Sequence, residues 1–234
     1  MITQLRFLRL SLSQHPSYSR VLSLLDVSGS SSPPNLLLDI GPGLGQDIRK
    51  LIYDGVATTS IVGLELDPGL LEIGFDLFQD RQTLNVPFVI GDLLVFGSKS
   101  TDTNLDNATN NDSSTTPDLR RKFTIINASS LLHLFPLPLQ HRLVQAMIEL
   151  LLPQPGSRIL GWQLGNPTPM DYFDMTNFTL QYRHDKDSFR EFWADIGRDT
   201  GTSWLVDVCE MEWRDETAFG EPGMWALSWE VVRL

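Results

Sequence analysis

The chain has 234 residues, 41% of them hydrophobic, with 18 basic against 29 acidic side chains, a net charge of −11 and a pI near 4.7. That length and apolar content fit one α/β domain with an ordinary core. The acidity argues against nucleic acid as substrate and against an anionic membrane surface as partner, because phosphate binding needs basic surface.

In chain order, residues 1–26 are predicted to form an N-terminal helical segment, followed by a Ser/Gly/Pro linker at 28–34. The main domain then covers 35–234. An apolar strand at 36–40 runs into a glycine turn, Gly41 to Gly45, and a helix at 46–53. A strand at 61–65, a helix at 68–77 and a strand at 88–93 follow. The Ser/Thr/Asn/Asp tract at 98–118 cannot bury enough apolar surface to order itself and is expected to be a flexible insertion. Beyond it come a strand at 123–127, an amphipathic helix at 139–152 carrying Leu143, Met147, Ile148 and Leu151, and a strand at 158–164. A Pro- and Met-rich loop holds Tyr172, Phe173 and Phe178. The helix at 188–201 carries Phe189, Phe192, Trp193 and Ile196 on its apolar face. Two alternating segments, 204–211 and 225–232, read as strands joined through the loop at 220–223. Strands alternating with helices predict a doubly wound α/β sheet.

The turn carries the chemistry. Glycines let the backbone approach a ligand closely, and the helix start just past them offers free N–H groups. The glycines run G-x-G-x-G, with Gln46 where the third glycine of a dinucleotide fingerprint should stand, and no Gly-Lys-Ser/Thr follows. Asp39 opens the motif. An acid there suits an ammonium or other cation better than a phosphate. Glu65 ends the next strand at about the 20-residue spacing of a ribose-binding acid, although helix N-cap and loop acid remain ordinary alternatives for Glu65 and Asp92.

In its D-x-G-x-G-x-G form the motif resembles motif I of the class I S-adenosylmethionine (SAM) methyltransferases. The runs at 6–16, 45–55, 127–135, 152–157 and 161–166 resemble, more narrowly, the O-methyltransferases of fungal meroterpenoid and polyketide pathways, several of which esterify a carboxylic acid. The resemblance covers nearly the whole chain. It implies a Rossmann-like, seven-stranded, mostly parallel sheet with a C-terminal antiparallel hairpin and helices on both faces. It implies SAM as cofactor, held by Asp39, Gly41, Gly43, Gly45, Glu65, Leu66, Asp92, Leu93, Asn127, Ala128 and Ser129. The implied substrate is a small terpenoid or polyketide acid. Members of that group carry further residues ahead of the Arg6 region that help cover the site, so slow transfer by this chain alone is expected. A homodimer could supply such a cover. The alternatives within the fold are a protein that binds SAM or a metabolite without transfer, and one that performs a cyclisation or isomerisation.

On the acceptor side, His133 follows the fourth strand, where it could orient a carboxylate or take a phenolic proton; equally, it could simply pack. Trp162, Gln163, Asn166, Tyr172, Phe173 and Phe178 are candidates for the substrate wall, with loop packing as the plain alternative. Arg183, with His184, could pair a substrate carboxylate, or be a charged pair flanking a helix. His141 reads as an exposed helix residue, and His15 as lying over the pocket mouth. Cys209, the single cysteine, excludes an intramolecular disulfide and reads as a buried structural thiol, compatible with a cytoplasmic location. Arg6 and Arg9 interrupt the early apolar stretch, so no signal peptide is expected, and no run approaches the ~18 residues of a membrane span. No His/Cys cluster has metal-ligand spacing.

Overall fold

The computed structural model describes residues 10–26, 35–96, 118–212 and 225–234. The linker at 28–34, the tract at 98–118 apart from Asp118, and the loop at 220–223 lie outside the described residues.

Seven strands form one sheet in the order β3-β2-β1-β4-β5-β9-β8. These are β1 (Leu37–Ile40), β2 (Ile61–Glu65), β3 (Phe88–Ile90), β4 (Ile125–Asn127), β5 (Arg158–Gly165), β8 (Trp204–Glu212) and β9 (Trp225–Arg233). β1 to β5 pair in parallel, while β9 runs antiparallel to both β5 and β8. Every residue of β1 is buried, as a parallel strand covered on both faces requires.

One face packs Leu37, Ile61, Ile125 and Leu160 against α1 (Tyr18–Leu25) and α2 (Gln46–Tyr53), through Val21, Leu25, Ile48 and Leu51. The other face packs Leu38, Leu64, Ile126 and Ile159 against α5 (Leu137–Leu150) and α6 (Lys186–Thr200), through Val144, Met147, Phe189 and Trp193. α3 (Pro68–Phe78) and the short α4 (Leu93–Phe96) complete the helical layers.

Residues 10–17 are stitched to the domain by buried polar contacts. Asp47, in the first turn of α2, accepts from Ser11 Oγ at 2.8 Å and from the Leu12 amide at 3.2 Å. Ser17 Oγ donates to Glu230 at 2.7 Å, and the same carboxylate pairs with the buried Arg158 at 2.7 Å.

Four local expectations are corrected. The loop with Tyr172 and Phe173 is a hairpin of β6 (Met170–Asp174) and β7 (Thr179–Arg183), a second two-stranded sheet with Phe178 in its turn. Its short polar-aromatic alternation hid it. The third strand stops at Ile90, and Asp92 caps α4 instead of continuing the strand. Cys209 is exposed, because β8 is the edge strand and turns alternate residues to solvent. His141 is half-buried against the Phe192 ring, 4.7 Å away.

Candidate functional site

The chain leaves β1 toward β2 on one side, and β4, reached from β3 by a crossover, lies on the other. The carboxyl ends of β1 and β4 therefore flank the switch point of the sheet, where a doubly wound fold holds its ligand. The glycine turn sits there. Gly41 and Gly43 have φ of +68° and +59°, which an L side chain adopts only under strain, and a Cβ on either would meet nothing within 4 Å. The turn thus presents bare backbone to open space. It is pinned from behind: Arg49 Nη1 donates to the Leu44 carbonyl at 2.6 Å and clamps Asp80 with two further hydrogen bonds. α3 comes so close that a Cβ on Gly74 would overlap the Leu44 carbonyl.

Glu65, at the end of β2, is buried and turned toward the same turn. Its Oε2 accepts from the Gly43 amide at 2.9 Å, and its Oε1 from the Leu66 and Asp67 amides at 2.8 and 3.0 Å. Three amides hold the carboxylate rigid, and Oε2, which accepts only one of them, retains capacity for a ligand hydroxyl.

Across the switch point, Asn127 Nδ2 donates to Asp39 Oδ1 at 2.7 Å, and Ser129 Oγ donates to Asn127 Oδ1 at 2.8 Å. Burial, followed by the nearby Asp47, pushes the Asp39 carboxyl up to about 8, with Glu65 adding to the rise and Asn127 opposing it. Burial likewise pushes Asp47 up to about 6, against its bonds from Ser11 and Leu12. Among the described residues, none of the three acids has a basic partner in an ion pair. A cradle of bare amides backed by unpaired acids fits a cofactor with hydroxyls and positive charge, such as SAM. Among the described residues, no group of three or more His, Cys, Asp or Glu is placed to hold a metal.

The remaining cofactor candidates divide. Leu66 is 68% exposed beside Glu65, free to cover an apolar ring. Asp92 is exposed, and its Oδ1 accepts from Leu94 at 2.9 Å, a capping role that leaves its other oxygen open. Leu93 sends its side chain into the core, which leaves only its backbone to a ligand. Ala128 is buried and its amide bonds to Leu160.

The acceptor candidates lie on β5, the turn after β4 and the β6–β7 hairpin. His133 is buried in the single 3-10 turn Leu132–Leu134 that follows β4. The hairpin joins this turn through the Tyr182 amide, which donates to the Phe135 carbonyl at 3.0 Å. Arg183, only 7% exposed, lays its guanidinium 3.5 Å from the Tyr172 ring centroid. No carboxylate pairs with it among the described residues. Gln163 is fully buried, and both its amide atoms lack a hydrogen-bond partner. Asn166 ties its side chain to the Thr168 carbonyl and its amide to the His184 carbonyl, so it shapes the β5–β6 turn. Trp162 is half-buried. Phe173 and Phe178 point outward, 49% and 74% exposed, and do not wall the site.

Two histidines differ from expectation. His184 is 1% exposed, ringed by Tyr182, Phe189 and Phe192, and burial pushes it down to about 4; it is a neutral core group rather than a flanking charge. His15 is buried, with Nε2 against the Trp229 carbonyl at 3.1 Å. Asp47 and Gln140 are missing from the sequence-based candidates. Gln140 had a signal: it shares the apolar stripe of Leu143, Val144 and Met147, where a buried amide needs partners.

Strand order, glycine turn and acid-tipped strands together make this a Rossmann-like class I methyltransferase domain. No protein-family model matches the chain. It is 33% identical over 206 residues to the O-methyltransferase phiE of a fungal species, covering 88% of this chain and 62% of that protein. It is 30% identical over 219 residues to the methyltransferase adrK of Penicillium rubens, covering 90% of this chain and 69% of that protein. The chain thus spans roughly two thirds of the length of these relatives. The crystal structure of the Burkholderia thailandensis 1,6-didemethyltoxoflavin-N1-methyltransferase matches with a TM-score of 0.57 at 14% identity, over 94% of this chain and 80% of that one, a likeness of fold. The chain belongs to the class I SAM-dependent methyltransferases, in the group of fungal secondary-metabolite enzymes.

Proposed function

We propose that this chain is a SAM-dependent O-methyltransferase that esterifies a carboxylic acid of terpenoid or polyketide origin. The observation that carries the choice of acceptor is Arg183. A buried guanidinium without a carboxylate partner is costly, and its planar fork matches a carboxylate. The Tyr172 ring covers the guanidinium from one side, its centroid 3.5 Å from Cζ.

SAM, when bound, supplies an electrophilic methyl group on a sulfonium. Gly41, Gly43 and Gly45 would hold its amino-acid end with backbone contacts, Asp39 would face its positive charge, and Glu65 would accept from its ribose hydroxyls. Leu66, Asp92 and Leu93 would border the adenine, with Asn127, Ala128 and Ser129 closing the opposite wall. A carboxylate is ionised near neutral pH and needs no general base. The role left to His133 is therefore to orient an acceptor oxygen, with Trp162 and Gln163 shaping the wall beside it. Orientation alone can supply most of the acceleration of an in-line displacement.

The test is calorimetry with SAM, followed by mass spectrometry of aromatic and terpenoid carboxylic acids incubated with protein and SAM. A gain of one methylene unit, lost on mild ester hydrolysis, supports the reading. A folded protein that does not bind SAM defeats it. An isomer of unchanged mass would instead mark a cyclase or isomerase, and binding without product a non-transferring protein.

A further inference from the structure

Gln140 is the fourth residue of α5 and is fully buried. Its Nε2 donates to two backbone carbonyls, Phe135 O and Tyr182 O, both at 2.9 Å. Phe135 O also accepts from the Tyr182 amide at 3.0 Å. The two carbonyls fix the amide orientation, since only the NH2 end can donate.

These carbonyls belong to the two segments that carry the acceptor side. Phe135 stands two residues past His133, and Tyr182 immediately precedes Arg183. β7 is joined to the 3-10 turn beside one shared oxygen, and Gln140 holds that oxygen from the core. Without the side-chain NH2, the Tyr182 carbonyl loses its donor from α5 and the junction keeps one hydrogen bond. A helix-borne clamp of this kind fixes relative placement well, because α5 is anchored through Val144 and Met147.

We infer that Gln140 is a positioning residue that sets the spacing between His133 and Arg183, and thereby the pose of the acceptor. The inference rests on the acid-methylating reading above. It concerns the acceptor alone: Gln140 has no hydrogen bond to the glycine turn, Glu65 or Asp39.

The test compares wild type with Gln140→Leu and Gln140→His in the full chain. The first removes both donors at similar volume, and the second keeps one N–H. The probe acid is whichever carboxylic acid wild type methylates. For folded Gln140→Leu the expected result is a KM for that acid raised at least tenfold, a smaller fall in kcat, and a SAM Kd within twofold of wild type. Gln140→His should recover part of the KM. Hydrogen exchange should quicken at least tenfold at 132–136 and 180–184 and stay unchanged at 37–45. An unchanged KM in the folded variant overturns the inference, as does a parallel loss of SAM affinity. If wild type methylates no acid, the functional reading fails by itself. Exchange then decides about the clamp: wild-type rates at 132–136 and 180–184 in Gln140→Leu would overturn it. Should Gln140→Leu not fold, the same comparison is made with Gln140→Met.

Discussion

The Asn127 amide donates to the Asp39 carboxyl at 2.7 Å across the seam between β1 and β4. This bond gives the most buried acid of the cradle a donor on its neighbouring strand, and no charge. Burial, followed by the nearby Asp47, outweighs this bond and pushes the carboxyl up to about 8, so that Asp39 is largely neutral near pH 7. In the unfolded chain the same carboxyl ionises near pH 4. The folded state binds more protons at Asp39 between those values, so the contribution of this group to stability is greatest below pH 4 and falls as pH rises toward 8.

Asp39→Asn should remove that dependence. It keeps an oxygen for Asn127 and abolishes the buried ionisation. The variant is expected to gain over wild type progressively between pH 4 and 8, by at most about 1.4 kcal/mol per unit, with little further change above pH 8. Its affinity for SAM should fall, because an amide cannot give up a proton to face the bound positive charge, as the carboxyl can. Urea midpoints across that pH range, with calorimetry at pH 7.5, check both halves. A midpoint difference that does not vary with pH would contradict the first.

Glu65→Ala removes the acceptor for the Gly43, Leu66 and Asp67 amides and for the ribose. A charged hydrogen bond contributes about 1.5–3 kcal/mol, so SAM affinity should drop roughly tenfold to a hundredfold. Calorimetry measures it. Wild-type affinity in a folded variant would place the ribose contact elsewhere.

Gly74→Ala sets a methyl group against the Leu44 carbonyl, and the contact is with backbone that cannot swing away. Overpacking of this kind costs about 1–3 kcal/mol. Thermal unfolding should show the loss, and SAM binding should weaken because Leu44 belongs to the glycine turn. A variant as stable as wild type would mean that α3 can slide without cost.

Arg183→Ala should raise the KM for a methylated acid tenfold to a hundredfold, from loss of a charged hydrogen bond of about 1.5–3 kcal/mol. The SAM Kd should hold. Arg183→Lys should restore little, since an ammonium offers no planar fork to lie on Tyr172. Steady-state kinetics of the two variants check this, and full activity of Arg183→Lys would reduce the residue to a point charge.

The cradle is legible in the sequence because each of its parts is local. Asp39 and Glu65 end apolar runs, Gly41 to Gly45 lie between a strand and a helix, and β-α spacing brings all of them to one edge of the sheet. The acceptor side is legible only as a list of residue types. His184 reads as charged company for Arg183 and Asp185, yet Phe189 and Phe192 fold over it from the next helix. Phe173 and Phe178 read as wall and turn outward, because cross-strand pairing puts Phe173 on the outer face of β6 and Phe178 falls in the turn of the hairpin. Cys209 reads as core, since alternation marks a strand and does not say whether that strand is an edge. Gln140 acts through carbonyls 5 and 42 residues away, a relation that no local pattern holds.

β9 lies between β5 and β8 and hydrogen-bonds to both. A nascent chain that has emerged only through residue 212 therefore has two bare strand edges facing a slot that nothing fills. Residues 213–224 must be translated before the filling strand arrives, on the order of a second at ordinary synthesis rates. Bare edges recruit strands from other chains, so this interval is when the molecule most needs a chaperone or dilution. The hydrogen-bonding neighbours of β1, β2 and β4 all precede that gap, the last of them, β5, being complete by residue 165. The strands that frame the glycine turn can thus pair on the ribosome before the slot beside β5 is filled, so the candidate cradle does not wait for β9.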